Sequence, residues 1–450
     1  MHDDHDAHPA RSSRETRFRF AALALIGLAM IAFIAISPTI YRVFGEGWMS
    51  PPIFASGLLT IIAAKIAPSV PVRWGLVLIL AMALIMRLLL VGEQPMLSTD
   101  IYRYVWDGRV QGAGVNPYAY VPADPRLEAL REPHVYPNIN RVDYAVTIYP
   151  PVAQFYFFLV TRISETITFM RLAMVACEVV TVLVIIDLLR RFNLPVTAVV
   201  AYAWHPLAIW EVANNGHVDA LMIALMMIGI WLLVRARPLA GVVGIAVAAL
   251  AKPYAVVILP ALWRPWDWRA PAVFVATIAI CYLPYLGVGR GVLGFLTTGY
   301  LTEEGVASGE GFWFVMILNF LFGERPAFVV IYGVALLGVM GWLAFNAVFD
   351  RDQTPQRKVA HIATLLMAGL LFLSPNYPWY FLVVVPFIML GGGLPAWTMT
   401  LFALLLYRPV YLPYNDLIWK SVVLLPFLIA VVVSATRRRS AAFTSNMPVG

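Results

Sequence analysis

The sequence predicts an all-α, polytopic membrane protein with a bundle of about 12 to 14 transmembrane helices. Three observations carry that prediction. Of the 450 residues, 61% are hydrophobic and only 13% charged, and the mean hydropathy is +0.78, far from the composition of a soluble globular chain. Apolar runs of about 15 to 22 residues recur from Phe20 to Val433, each long enough, or nearly so with flanking aromatics, to cross a ~30 Å hydrocarbon core as a helix. The basic residues fall between these runs in a pattern that one threading of the membrane satisfies.

Taken in order, Arg11, Arg14, Arg17 and Arg19 precede the first run and place the N-terminus in the cytoplasm. That run has no small-residue cleavage site and reads as a retained span. Arg73, Arg190 with Arg191, Arg235 with Arg237, Arg264 with Arg269, Arg351 with Arg357 and Lys358, and Arg437 to Arg439 then all fall inside with spans near 19–39, 51–68, 74–92, 168–190, 196–213, 217–234, 238–251, 254–263, 270–288, 326–348, 359–373, 378–392, 395–411 and 417–436. Lys252-Pro253 interrupts one apolar stretch, so the spans on either side of it form a broken or re-entrant pair. Residues 1–18 read as a disordered cytoplasmic tail, 19–436 as a single transmembrane domain, and 437–450 as a second cytoplasmic tail. His2, His5 and His8 in the first tail fit loose metal binding or, more simply, a solvated segment.

This threading leaves the unusual polar chemistry on the outer face. It gathers there the loop 93–167, "ANNGHVDA", "AKPYA", the loop 289–311, "SPNYPWY" and "YRPVYLPYND". The cytoplasmic loops are short and basic and contain no G-x-x-x-x-G-K-[ST] and no G-x-G-x-x-G after a strand, so an activated substrate must be supplied from elsewhere and no cofactor is expected. The net charge of +7 follows from the positive-inside bias and predicts no nucleic-acid binding. Cys177 and Cys281 lie in apolar spans and predict no disulfide.

In "LSTDIYRYVWDGRVQGAGVNPYAY", Asp100 stands just past the third span, where bilayer gives way to water. A carboxylate there suits a general base that takes a proton from a hydroxyl. It suits equally a helix cap by Ser98 or Asp100, followed by a surface pair of Arg103 and Asp107 at i, i+4. The spread of Tyr102, Arg103, Tyr104, Trp106 and Asp107 around the axis predicts an interfacial helix with its aromatics at headgroup depth. "DPRLEALREP" predicts a second short helix, and "TIYPPVAQFYFFLVTRI" one that starts at the double proline and lies along or dips into the outer leaflet. In "WHPLAIWEVANNGHVDALMIAL", His205, Glu211, Asn215, His217 and Asp219 crowd a helix end. They fit sugar or phosphate hydrogen bonding, a hairpin turn, or, more weakly, a metal site that no C-x-x-C or H-E-x-x-H supports. Lys252 fits a lipid phosphate or a side chain reaching the headgroups. Asn376 and Tyr377 in "SPNYPWY" fit sugar stacking or an aromatic belt.

The sequence "DIYRYVWDGR" followed by "NPY", a loop of about 50 residues, a "YPP" helix start and "NNGHVDAL" resembles the C-superfamily (GT-C) membrane glycosyltransferases. The likeness is to polyprenyl-phosphate-mannose-dependent mannosyltransferases and covers most of residues 74–260. The resemblance implies a GT-C-like bundle with interfacial helices in the first large outer loop. It also implies an inverting enzyme of the cell membrane that passes a sugar, mannose first, from a polyprenyl phosphate to the hydroxyl of a lipid or glycan acceptor on the extracytoplasmic face. The family's loop carboxylate falls on Asp100. Its loop helix falls on Tyr102, Arg103 and Asp107, its "YPP" on Tyr149 to Pro151, and its "GHxDAL" on Gly216, His217, Asp219, Ala220 and Leu221. Arg109 and Asn116 extend the helix-loop motif, and Lys252, Arg103 or Arg109 would meet the leaving phosphate. Val218 stands where relatives often have Asn, and a single Asp replaces D-x-D, which argues against a tightly held metal. A transporter or flippase of lipid-linked sugars shares the many spans and lipid contacts. It differs in placing polar groups near the midplane in inverted repeats, which this sequence lacks.

Overall fold

The computed structural model describes residues 13–306, 308–407 and 415–445. Residues 1–12 of the first tail, 408–414 of the last outer segment and 446–450 of the second tail therefore lie outside the described residues. All regular elements among the described residues are helices. The principal ones are α1 (Ser13–Phe44), α2 (Ser50–Ile66), α3 (Val72–Val91), α4 (Asp100–Gly112), α5 (Pro151–Ile163), α6 (Ile167–Arg191), α7 (Val196–Ala203), α8 (Pro206–Asn214), α9 (Asp219–Val234), α10 (Pro238–Ala249), α11 (Pro253–Leu262), α12 (Arg269–Tyr282), α13 (Trp313–Phe322), α14 (Pro326–Phe349), α15 (Pro355–Leu373), α16 (Pro378–Ile388), α17 (Gly393–Ala403) and α18 (Asp416–Ser445). Proline opens many of them because its missing N–H is one that the first turn leaves unbonded in any case.

The chain is a multi-pass membrane protein. Eight helices are long and apolar enough to cross a bilayer, and the bent pair α7–α8 makes up to nine. The five other spans expected from the sequence are shorter apolar helices, α9, α10, α11, α16 and the stretch Gly393–Leu406, and α13 is a further short one. Their brevity has local causes: Pro253 breaks the segment after α10, and positive φ at Gly391 and Gly393 separates α16 from α17. The helix α18 runs on to Ser445, past the apolar stretch that ends at Arg437.

The 60° bend between α7 and α8 frees backbone groups inside the bundle, and neighbouring side chains satisfy them. Arg87 donates to the Ala203 carbonyl at 2.5 Å and pairs with both oxygens of Glu178, at 3.0 and 2.6 Å. Thr60 donates to the Trp204 carbonyl at 2.8 Å. His205 caps the new helix by accepting from Leu207 N–H at 3.2 Å. Beyond the bend, residues 209–214 form a wide π turn, a distortion that rotates successive side chains out of α-helical register. Asn214 and Asn215 are thereby directed at the loop that leads into α4: Asn214 accepts from Met96 N–H at 2.9 Å and Asn215 from Leu97 N–H at 3.2 Å.

The helix α4 departs from the interfacial helix expected. Residues Ile101 to Gly108 are all buried, so its aromatics pack against protein. The Tyr104 ring stacks on Phe157 at 4.6 Å and meets Tyr149 edge-on at 5.0 Å. Close approach of α5 makes this possible, because a Cβ on Gly108 would stand 2.5 Å from the Phe157 carbonyl oxygen and from Thr161 Oγ1. Gly108→Ala is accordingly expected to push the two helices apart at a cost of about 1–3 kcal/mol, read as a lower unfolding midpoint in detergent.

Candidate active site

A cavity of about 770 Å³ opens where several helix ends converge. Asp100 and the residues before it line one side, and Asn140 to Pro150 ahead of α5 continue that wall. Lys252 to Tyr254, the turn with Tyr300, Glu303 and Glu304, the strip Asn376 to Tyr380, and Tyr407 with Asp416 close the rest. These five groups come from segments that the sequence assigned to a single face, and they are up to about 300 residues apart along the chain.

Asp100 is the first residue of α4, with Thr99 at the cap making no side-chain bond. The Ser98 hydroxyl accepts from the Asp100 N–H at 3.3 Å. The Asp100 carboxylate is turned away from its own helix: Oδ1 accepts from Asn140 Nδ2 at 2.8 Å. Burial raises its pKa above the usual carboxylate value, opposed by the charge of Lys252, the Asn140 hydrogen bond and the charge of Arg141. A carboxylate so placed is a stronger base than one in water.

Lys252 donates to Asp219 at 2.7 Å, and Tyr254 donates to the other Asp219 oxygen at 2.6 Å. Its ammonium also sits 4.7 Å from the centre of the Tyr380 ring. Arg141 pairs with Glu303 at 2.7 Å and lies over the Tyr300 ring at 5.5 Å. These two cations share the cavity with Asp100. The aromatic wall is continuous, since Tyr377 stacks on Trp379 at 4.4 Å and 7°, and the Tyr300 and Tyr380 hydroxyls meet at 2.6 Å. Flat aromatic faces of this kind pack against the C–H faces of a sugar ring.

Of the residues singled out in the sequence, Asp100, Tyr149, Lys252, Asn376 and Tyr377 line the cavity. Asp219, His217, Glu211 and Asn215 are buried behind it, and Asp219 reaches it through Lys252 and Tyr254. The others are placed elsewhere. The Arg103–Asp107 pair is buried and not on a surface, and it serves packing. Arg103 holds Asp107 at 2.7 Å and the Ala145 carbonyl at 3.1 Å, while Asp107 also accepts from Thr147 and Gln154 at 2.6 and 2.8 Å. Arg109 pairs with Glu165 at 2.7 Å and donates to the Leu130 carbonyl. Asn116 donates to the Tyr285 carbonyl and accepts from Tyr118 N–H. Tyr102 is buried on α4 without reaching the cavity, and His205 is committed to the helix cap and to Thr400 at 3.2 Å.

Asn140, Arg141, Tyr300, Glu303, Glu304, Trp379 and Tyr380 are cavity residues that the sequence reading passed over. Acidic Glu303-Glu304 in a loop assigned to the same face as Asp100 was the available signal for the second group. Asn140 and Arg141 sit in "NINRVDY", which carries no pattern.

Residues 50–267 match the family model described as Alpha-(1->6)-mannopyranosyltransferase, N-terminal domain. Among curated proteins, Alpha-(1->6)-mannopyranosyltransferase A of Mycobacterium tuberculosis is 26% identical over 350 residues, covering 68% of this chain. The match spans 66% of that relative's length. No solved structure matches. The region matched by the family model includes Asp100, Asn140, Arg141, Tyr149, Asp219 and Lys252, and the remaining walls of the cavity, Glu46 apart, follow it in the chain. Through residues 50–267, just under half of its length, the chain is similar to the alpha-(1->6)-mannopyranosyltransferase family.

Proposed function

We propose that this protein transfers mannose from a polyprenyl-phosphate donor to an acceptor hydroxyl on the extracytoplasmic side of the membrane, with inversion and with Asp100 as the base. The observation that supports it most directly is the arrangement around Asp100. A partly buried carboxylate of raised basicity, two cations and a stacked aromatic wall share one cavity. The acceptor O–H gives its proton to Asp100, the freed oxygen bonds to the anomeric carbon, and the bond from that carbon to the phosphate oxygen breaks. A lipid phosphate leaves without being protonated, and its charge is met by Lys252 and Arg141. Arg103 and Arg109, considered for that task from the sequence, are engaged elsewhere. One displacement converts a β-linked donor into an α-linked product, the anomer in the family's name. The basic loops that the sequence assigned to the cytoplasm support an outward-facing cavity.

The test is transfer in proteoliposomes with radiolabelled polyprenyl-phosphate-mannose and a lipid extract as acceptor. Labelled product with an α linkage is the expected result. Donor that crosses the bilayer unchanged would instead identify a transporter. Arg141→Gln, which shortens the side chain and removes its charge, is expected to raise the donor KM about tenfold or more, with a smaller effect on kcat.

A further inference from the structure

Directly beneath Asp100 lies an imidazole that the mechanism above does not use. The His217 side chain is fully buried, and both of its ring nitrogens lack a hydrogen-bond partner. Leaving two buried polar atoms unbonded is costly and rare, and such a residue calls for an account. Its surroundings supply one. Nδ1 faces Asp100 Oδ2 at 3.9 Å, and Nε2 faces Glu211 Oε2 at 3.3 Å. Glu211 is itself fixed, since Oε2 accepts from Asn215 at 2.8 Å and Oε1 accepts from the Tyr407 hydroxyl. The ring lies on Trp379 at 4.3 Å and 25°, a flat contact that lets it shift within its own plane. Burial, and then the charge of Lys252, keeps the imidazole neutral.

We infer that His217 is a positioning residue for Asp100: its Nδ1 lone pair accepts the O–H that Asp100 acquires from the acceptor, while Nε2, on the Glu211 side, carries the ring proton. The inference rests on the reading of Asp100 as the base. It also explains the long gap. When Asp100 is ionised, two lone pairs face each other across 3.9 Å and repel. When Asp100 is protonated, a hydrogen stands between them, and a shift of roughly 1 Å closes a normal hydrogen bond. The protonated form gains this bond and the ionised form does not, so Asp100 becomes a better base without a new charge in the cavity. The charged and titratable groups around the pair are Lys252, Arg141, Asp219 and Glu211, with the Tyr104, Tyr149 and Tyr300 hydroxyls beside Asp100. None of these changes in the variants below.

The test compares His217→Asn with His217→Gln in the full-length protein in lipid. The amide oxygen of Asn reaches about where Nδ1 stands, whereas Gln reaches toward the Nε2 position. Two readouts are taken. The carboxyl infrared band of Asp100, assigned by its loss in Asp100→Asn, is titrated with pH, and kcat and donor KM are measured for mannose transfer. Because the lost bond favoured the protonated form, His217→Gln is expected to lower the Asp100 midpoint by about one pH unit and kcat by about tenfold, with donor KM within about twofold. His217→Asn is expected to keep both close to wild type. A midpoint unchanged in His217→Gln, or a raised donor KM at constant kcat, overturns the inference, the latter because it marks a sugar contact. Should His217→Gln fail to fold, His217→Leu carries the same expectations. If the wild type transfers no mannose, the base reading falls, and the infrared titration alone still decides whether His217 and Asp100 are coupled.

Discussion

Asp100→Asn is expected to reduce mannose transfer about a thousandfold, within the range of 10²–10⁴ that a positioned general base contributes. The substitution keeps the shape of the side chain and an oxygen for Asn140 Nδ2, which now approaches Asp100 Oδ1 at 2.8 Å. What it removes is the group that takes the proton. A thousandfold loss corresponds to about 4 kcal/mol of transition-state stabilisation. The loss should appear in kcat. Donor affinity should hold or improve, since an anionic phosphate no longer shares the cavity with this carboxylate. Stability should hold too, because burial disfavours the charged form of Asp100. The wild-type rate carries a matching pH signature. Its acidic limb should reflect Asp100, so kcat/KM falls as pH drops through a pKa above the usual carboxylate value, and Asp100→Asn should lose that limb. A variant retaining a tenth of the wild-type kcat would remove Asp100 from the base role.

Lys252→Met is expected to damage stability and donor binding together, and the two effects can be separated. Asp219 is fully buried and holds Lys252 at 2.7 Å and Tyr254 at 2.6 Å. Removing the ammonium leaves a buried carboxylate with one neutral partner, a loss of about 3–5 kcal/mol for pairs of this kind. The double variant Lys252→Met with Asp219→Asn has no buried charge left over, and should recover most of the unfolding midpoint in detergent. It should not recover donor affinity, because the cation proposed to meet the phosphate is still absent. Thermal unfolding and donor titration on the three proteins decide the matter. A double variant that binds donor as wild type does would reduce Lys252 to a structural partner of Asp219, and a single variant as stable as wild type would refute the buried-pair argument.

The site was legible in the sequence to the extent that its chemistry is local. Asp100 was marked by its position at the end of a span, and Lys252 by the proline that breaks its helix. The spacing of Arg103 and Asp107 predicted their pairing, and they do pair at 2.7 Å. Spacing says nothing of which way that side of the helix faces, and α5 covers it, so a pair expected on a surface is inside. His217 and Glu211 stood in one polar cluster with His205, yet the bend after α7 separates them. His205 faces Thr400, while the π turn carries Glu211 toward His217.

The helical class, the multi-pass habit, the start of several helices at proline and the clustering of polar segments between apolar runs were determined by the sequence alone. Each follows from hydropathy and backbone chemistry within about 20 residues. The lengths of the short apolar helices were decided by tertiary structure, because α9, α10 and α16 find their partners inside the bundle and are stable at lengths that lipid alone would not select. So was the cavity. Asn140, Arg141, Tyr300, Glu303, Trp379 and Asp416 become neighbours of Asp100 only when helix ends remote in the chain converge. No local pattern encodes that meeting, since it depends on close packing through residues such as Gly108 and on buried pairs such as Arg87–Glu178, whose energies exist only once the helices are in contact.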